Sequence, residues 1–394
     1  MLIEKLRKEH PQHWANSTAI RVLTLDAVAT ANSGHSGMPM GMADVATVLF
    51  FNHLKFDPKA PLWTDRDRLI LSAGHGSMLL YSLLYLTGYD DFPLEEIKNF
   101  RQLGAKTAGH PENFLSDAIE TTTGPLGQGI ANSVGFAMAE EIQRANFGKS
   151  IVDHYTYVFA GDGCLMEGVS QEAITLAGRQ KLSKLIVFWD NNNITIDGKV
   201  ELSDNTNQVE RFRSSGWHVL EIDGHNPVEI NEAIIEAKKN SKPTMIACET
   251  HIALGSSAQD TAKGHGALTD NKLIEETKKV YGWSQEKFYV PPEVKKEWEE
   301  LGKKGQKEKL FWENRYASLS SKRRSEFSRM HSMEVPQNLT RAINRLKKSI
   351  SIEKPKVATR KSSEMVLNVI NPIMTETIGG SADLSVLITQ NHQT

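Results

Sequence analysis

Tyr155-Thr156-Tyr157-Val158-Phe159-Ala160-Gly161-Asp162-Gly163 is a β-branched and aromatic run that stops at Gly-Asp-Gly. Such a run reads as a strand, so the Asp162 carboxylate projects from the strand's carboxyl end, where α/β sheets bind ligands. Glu167 to Gln180 reads as a helix and Lys184 to Trp189 as the next strand, which makes one βαβ unit with adjacent parallel strands. That unit brings Asp162 beside Asn191-Asn192-Asn193-Ile194-Thr195-Ile196-Asp197-Gly198. Glycines let backbone N–H groups approach a phosphate, and Asp162 offers a hard oxygen to a divalent cation. Asn192 and the Ile194 carbonyl could supply two more oxygens. An isolated Gly-Asp-Gly is also an ordinary turn with an aspartate helix cap.

The same alternation recurs along the chain. Residues 16 to 51 read as two helices around Asn32-Ser33-Gly34-His35-Ser36-Gly37, and Leu69 to Ala73 as a strand entering Gly74-His75-Gly76 and a helix from Ser77 to Leu86. Thr121 to Gly129 leads into a helix over Ile130 to Arg144, with glycines and free N–H groups at its start. Trp217 to Ile222, Pro227 to Lys239 and Thr244 to Thr250 continue the pattern, which predicts a doubly wound, mostly parallel α/β sheet. The expected organisation is a main domain over 1–320, a helical arm and linker over 321–355, and the start of a second α/β domain over 356–394. Lysine and glutamate runs beyond Pro291 read as solvated faces.

Bulk properties give no support to several classes. Lys plus Arg total 46 against 48 Asp plus Glu, so nucleic acid and anionic membranes are not expected partners. Two cysteines, Cys164 and Cys248, read as buried reduced thiols. The charged start and the lack of a membrane-length apolar run lead us to expect a cytoplasmic protein.

Four histidines sit in glycine-flanked turns: His35, His75, His110 and His265. Imidazoles donate to phosphate and hydroxyl oxygens and move protons near neutral pH, and these four lack the spacing of a zinc site. With Ser33-Gly34-His35, Ala73 to Ser77, Gly109 to Glu112, Thr123 to Gly129, Gly161 to Gly168 and Asp190 to Gly198, the chain resembles the transketolase family from about residue 16 to Leu384. The resemblance implies that Asp162, Asn192 and the Ile194 carbonyl hold Mg²⁺ (or Ca²⁺, Mn²⁺). It implies that His75, Gly124, Pro125, Leu126, Gly163, Asn192 and His265 contact thiamine diphosphate. It implies further that His35, His110, His265 and Arg360 meet a sugar phosphate, with His35 and His265 catalytic. The implied reaction is transfer of a two-carbon ketol unit from a ketose phosphate to an aldose phosphate in the pentose phosphate pathway, by a homodimer.

Two departures accompany the resemblance. Gly34-His35-Ser36-Gly37 stands where the family has Gly-His-Pro-Gly, a change the turn is expected to tolerate. The rest of the pyrimidine-binding domain, with the glutamate that activates the cofactor, does not follow Thr394, so a truncated chain is expected. The tail from Ser385 loses the family pattern, and a frameshift is expected to account for it. Other readings are a non-catalytic fragment that keeps metal and diphosphate affinity, or another thiamine enzyme such as deoxyxylulose phosphate synthase or a ketoacid dehydrogenase subunit. The Thr123 to Gly129 stretch, with His110 and His265, argues against those other enzymes.

Overall fold

The structure is a computed structural model that describes residues 2–380. The expectations placed on 381–394, including the frameshift after Leu384, lie outside the described residues. The chain folds as two compact units, Met1–Glu313 and Asn314 onward.

The first unit is built on a five-stranded parallel sheet of order β1-β2-β3-β7-β6: β1 Arg68–Leu71, β2 Thr156–Gly161, β3 Leu185–Asn191, β6 His218–Asp223 and β7 Thr244–Glu249. A two-stranded antiparallel ribbon, β4 Ile194–Thr195 with β5 Gly198–Lys199, follows β3. The central strands are buried on both faces, which explains why β2 and β3 read as unbroken apolar runs. Register pairs Ala160 with Trp189 and Gly161 with Asp190. The expected βαβ unit is therefore present, with its helix at Gly168–Gln180 and a short helix, Asp162–Met166, before it. β1 ends two residues earlier than expected because Ser72 and Ala73 both donate to Phe159 O, at 2.8 and 3.1 Å, and the chain then turns into Gly74–Gly76.

Helices Pro11–Ala31 and Gly37–Asn52 are buried nearly all round, which accounts for the small apolar residues on every face. Helix Ser77–Thr87 ends on Gly88 in the left-handed region, whose N–H donates to Leu84 O and Tyr85 O. The lysine-rich helix Pro292–Ala317 buries a stripe of Val294, Trp298, Gly302, Gly305 and Trp312. Trp298 meets Phe51 edge-on at 4.8 Å, and a Cβ on Gly305 would fall 1.6 Å from Phe56 O. The charges therefore do lie on the outer face, while this glycine permits close packing.

In the second unit, helices Ser321–His331, Leu339–Glu353 and Thr359–Ile370 are joined by short turns, and Lys354–Val357 links the last two. Arg329 pairs with Glu326 and Glu376. No strand occurs among its described residues. No described helix is long and apolar enough to cross a membrane, and both cysteines are free and buried.

Candidate functional site

The carboxyl ends of β1, β2, β3 and β7 deliver their following residues to one cavity of about 330 Å³. His35, His75, His110, Gly124, Leu126, Asp162, Gly163, Asn192, Ile194 and His265 all line it. Pro125 lies between two lining residues. Arg360 is not among them; it belongs to the second unit, on helix Thr359–Ile370.

Asp162 follows β2 directly and is 8% exposed, with Trp189 Nε1 donating to its Oδ1 at 3.0 Å. Burial pushes its pKa up to about 6, against the Trp189 hydrogen bond and its own N–H, while Asp204 adds to the rise. Beside it, fully buried Asp190 is raised to about 7, by burial first and also by Asp162, against hydrogen bonds from Thr250 and Asn192. The acids that act on this pair carry the same sign as the pair. A divalent cation with hard-oxygen preference would remove the penalty, so the donor set fits the metal that the resemblance implies. Asn192 Nδ2 donates to Asp190 Oδ2 at 2.8 Å, and Ile194 N–H donates to Asn192 Oδ1 at 2.9 Å. Asn193 takes φ +61°, which turns the chain so that Asn192 and Ile194 face one cavity. Among the described residues no group of three or more His, Cys, Asp or Glu is placed to hold an ion.

Gly124 has φ +143°, and a Cβ there would meet the His110 ring at 3.1 Å; a Cβ on Gly74 would fall 2.7 Å from Gly124 N. The two turns thus pack backbone to backbone, and neither glycine leaves space for a side chain.

Three imidazoles from three segments meet at this edge. Ring centroids of His35 and His75 are 5.0 Å apart, His35 and His265 5.6 Å, and His75 and His265 5.1 Å. Burial, aided by the neighbouring histidines, lowers His35 to about 4 and His75 to about 3, and burial lowers His265 as well. At neutral pH these rings are neutral, each with one donor and one acceptor nitrogen. Nδ1 of His35 and Nδ1 of His265 are buried without a hydrogen-bond partner, which suits a bound polar group.

Hydrogen bonds fix the His35 and His265 segments to each other. Ser36 N–H donates to Gly266 O at 2.9 Å, Leu268 N–H donates to Ser36 Oγ at 3.3 Å, and Ala253 N–H donates to Gly37 O at 3.1 Å. The first bond needs an N–H that proline lacks, so Ser36 does more than occupy the turn.

Trp189, Thr250, Met38 and Ile252 contribute to this site without any motif of their own, and Asp190, the first residue of the Asp190 to Gly198 segment, is given no role by the resemblance. The discoverable signal was register: Asp190 stands opposite Gly161, one residue before Asp162.

Residues 13–336 match the family model described as the transketolase thiamine diphosphate binding domain. A transketolase of Rhodobacter capsulatus is 57% identical over 386 residues, which cover 98% of this chain and 57% of that relative. Transketolase 2 of Escherichia coli is 47% identical over 378 residues, covering 94% and 56%. The crystal structure of Pichia stipitis transketolase in complex with sedoheptulose-7-phosphate superposes with a TM-score of 0.90 at 42% identity, covering 97% of this chain and 57% of that one. Campylobacter jejuni transketolase gives 0.87 at 39%, covering 97% and 59%. The chain spans about half the length of the relatives it matches.

Proposed function

The chain belongs to the transketolase family, and from that premise we propose that its cavity binds thiamine diphosphate with a divalent metal and serves ketol transfer between sugar phosphates. The observation that carries the reading is the meeting of three neutral imidazoles, two with unpartnered Nδ1 atoms, beside two buried acids of the same sign.

Asp162, Asn192 and the Ile194 carbonyl would hold Mg²⁺, Ca²⁺ or Mn²⁺. His75, Gly163, His265 and the Gly124-Pro125-Leu126 turn would hold the diphosphate. Bound thiamine diphosphate would supply the nucleophilic carbon and the electron sink for carbon–carbon cleavage. His35 and His265 would orient sugar hydroxyls and hold or pass their protons, because neutral rings can both donate and accept. His110 would face another hydroxyl, and Arg360 would clamp the substrate phosphate with its planar fork. Met38, Ile252 and Ile196 line the same cavity. A homodimer in the cytoplasm belongs to the same proposal. So does the division into a diphosphate domain over 1–320, an arm over 321–355 and the start of a pyrimidine-binding domain over 356–394.

Isothermal titration of thiamine diphosphate into the purified chain tests the binding half. Heat of binding is expected with Mg²⁺ and lost with chelator, and no binding in either condition would remove the reading. A ketol-transfer assay on the same chain separates turnover from binding alone.

A further inference from the structure

We infer that Arg101 is a positioning residue of this site: its side chain ties the loop that carries His35 to the loop that carries His110, and so sets the spacing of two imidazoles that face the sugar. The inference rests on the reading of those two histidines given above. Arg101 Nη1 donates to Ser33 Oγ at 2.8 Å, two residues before His35. The guanidinium also lies against Gly109, where an added Cβ would stand 3.1 Å from Nε, 3.2 Å from Cζ and 3.3 Å from Nη2. Gly109 directly precedes His110, so a side chain there would force the guanidinium to give by a few tenths of an ångström.

The backbone prepares this contact. Arg101 takes φ +62°, and its N–H donates to Thr107 O at 2.9 Å, which closes the base of the loop leading to His110. On the other side, Ser77 Oγ donates to Gly109 O at 3.0 Å, and Tyr81 OH lies within hydrogen-bond distance of the Ala108 and His110 carbonyls. The His110 loop is thus anchored to helix Ser77–Thr87 independently, and Arg101 carries that anchorage across to Ser33. Its Nε is buried without a partner. Burial lowers the Arg101 pKa, with Tyr81 opposing. A methionine would fill this space without leaving a buried donor unsatisfied, so the gain from arginine is the link it makes.

The charge reaches both imidazoles. His35 is lowered by burial first, then by His265, Arg101 and His110; His75 packs against its ring. His110 is lowered by burial and by Arg101, with Glu112 opposing.

The test uses the free 394-residue chain and needs neither sugar nor cofactor. Hydrogen exchange is compared in Arg101→Met, Arg101→Lys and Gly109→Ala. Amides of 32–36 and of 107–110 are both expected to exchange about tenfold faster in Arg101→Met, the loss expected of one charge-assisted hydrogen bond. In Gly109→Ala the distant 32–36 amides are expected to respond although the charge is kept. Histidine NMR titration is expected to show His35 and His110 raised in Arg101→Met and close to wild type in Arg101→Lys. Unchanged exchange at 32–36 in both Gly109→Ala and Arg101→Met would overturn the inference, because Arg101 would then close only its own loop. Should Arg101→Met fail to fold, Gly109→Ala and Arg101→Lys decide the matter by the same readouts. If the loops loosen but the chain binds no sugar phosphate, the link stands and the substrate reading falls.

Discussion

Replacing Asp44 by asparagine should cost this fold several kcal/mol. Asp44 is fully buried on helix Gly37–Asn52 and takes three partners: Arg21 Nη2 at 2.5 Å, His225 Nδ1 at 2.7 Å and His13 Nε2 at 2.9 Å. Arg21 is itself 0% exposed and also donates to Met40 O and Ser17 Oγ. His225 Nε2 accepts the His251 N–H at 2.9 Å, which fixes the neutral tautomer that donates to Asp44. Burial opposes the Asp44 charge, yet Arg21 and the two histidines hold its carboxyl well below the usual range. Its contribution is therefore complete above the ordinary carboxylate pKa and lost only as pH falls through the depressed value. Asparagine keeps the shape and strands the Arg21 charge, and breaking such a pair costs about 3–5 kcal/mol. Against a typical total of about 5–15 kcal/mol, urea denaturation should show a large fall in midpoint at unchanged slope. Arg21→Met combined with Asp44→Leu should recover much of that loss, since apolar replacements of a buried pair are often neutral. A cost below about 1 kcal/mol for Asp44→Asn would refute the reasoning, because loss of a buried charge partner cannot be that small.

Asp162→Ala should abolish metal-dependent retention of thiamine diphosphate while the fold survives; unchanged affinity by titration in Mg²⁺ would remove the metal assignment. His35→Ala and His265→Ala, in a full-length version, should lower turnover at normal thermal stability, and His265→Ala should also weaken cofactor binding; wild-type kinetics in both would return these residues to a structural role. Ser36→Pro deletes the N–H that bonds Gly266 O and should cost about 0.5–1.5 kcal/mol, read as a lower thermal midpoint, whereas an equal or higher midpoint counts against that bond. His154 is 4% exposed, and burial lowers it to about 4, against its Asp65 hydrogen bond. The unfolded chain then takes the proton first, so relative to His154→Gln the native protein should lose stability from about pH 6.5 down to about 4, by at most about 1.4 kcal/mol per pH unit. A difference that stays flat or widens in favour of the native histidine would contradict the sign.

What the sequence revealed was local. β2, β3 and the helix between them follow from apolar runs punctuated by glycine, and the glycine-flanked turns marked His35, His75, His110 and His265 before any of their neighbours in space were known. What it concealed depends on pairing between distant segments. Asp190 opens a segment that the sequence marks, but its effect on Asp162 follows only from strand register; Thr250 matters because β7 lies beside β3, and no neighbour in sequence betrays it. Ser36 looked like a neutral exchange for proline, since turn chemistry tolerates both, and only its bond to Gly266 shows otherwise. Arg101 carried no signal, because its partners Ser33 and Gly109 lie on either side of a helix that the sequence presents as separate.

The clamp between the His35 and His265 segments has a consequence for the order of assembly. His35 leaves the ribosome early and His265 late, near the far end of the first unit, and the three-ring cluster is incomplete until the two ends meet. Contacts of such long range carry the largest loop-closure cost. Affinity for a diphosphate ligand at this cluster would thus appear only in molecules whose first unit has closed, and its onset during refolding would time that closure.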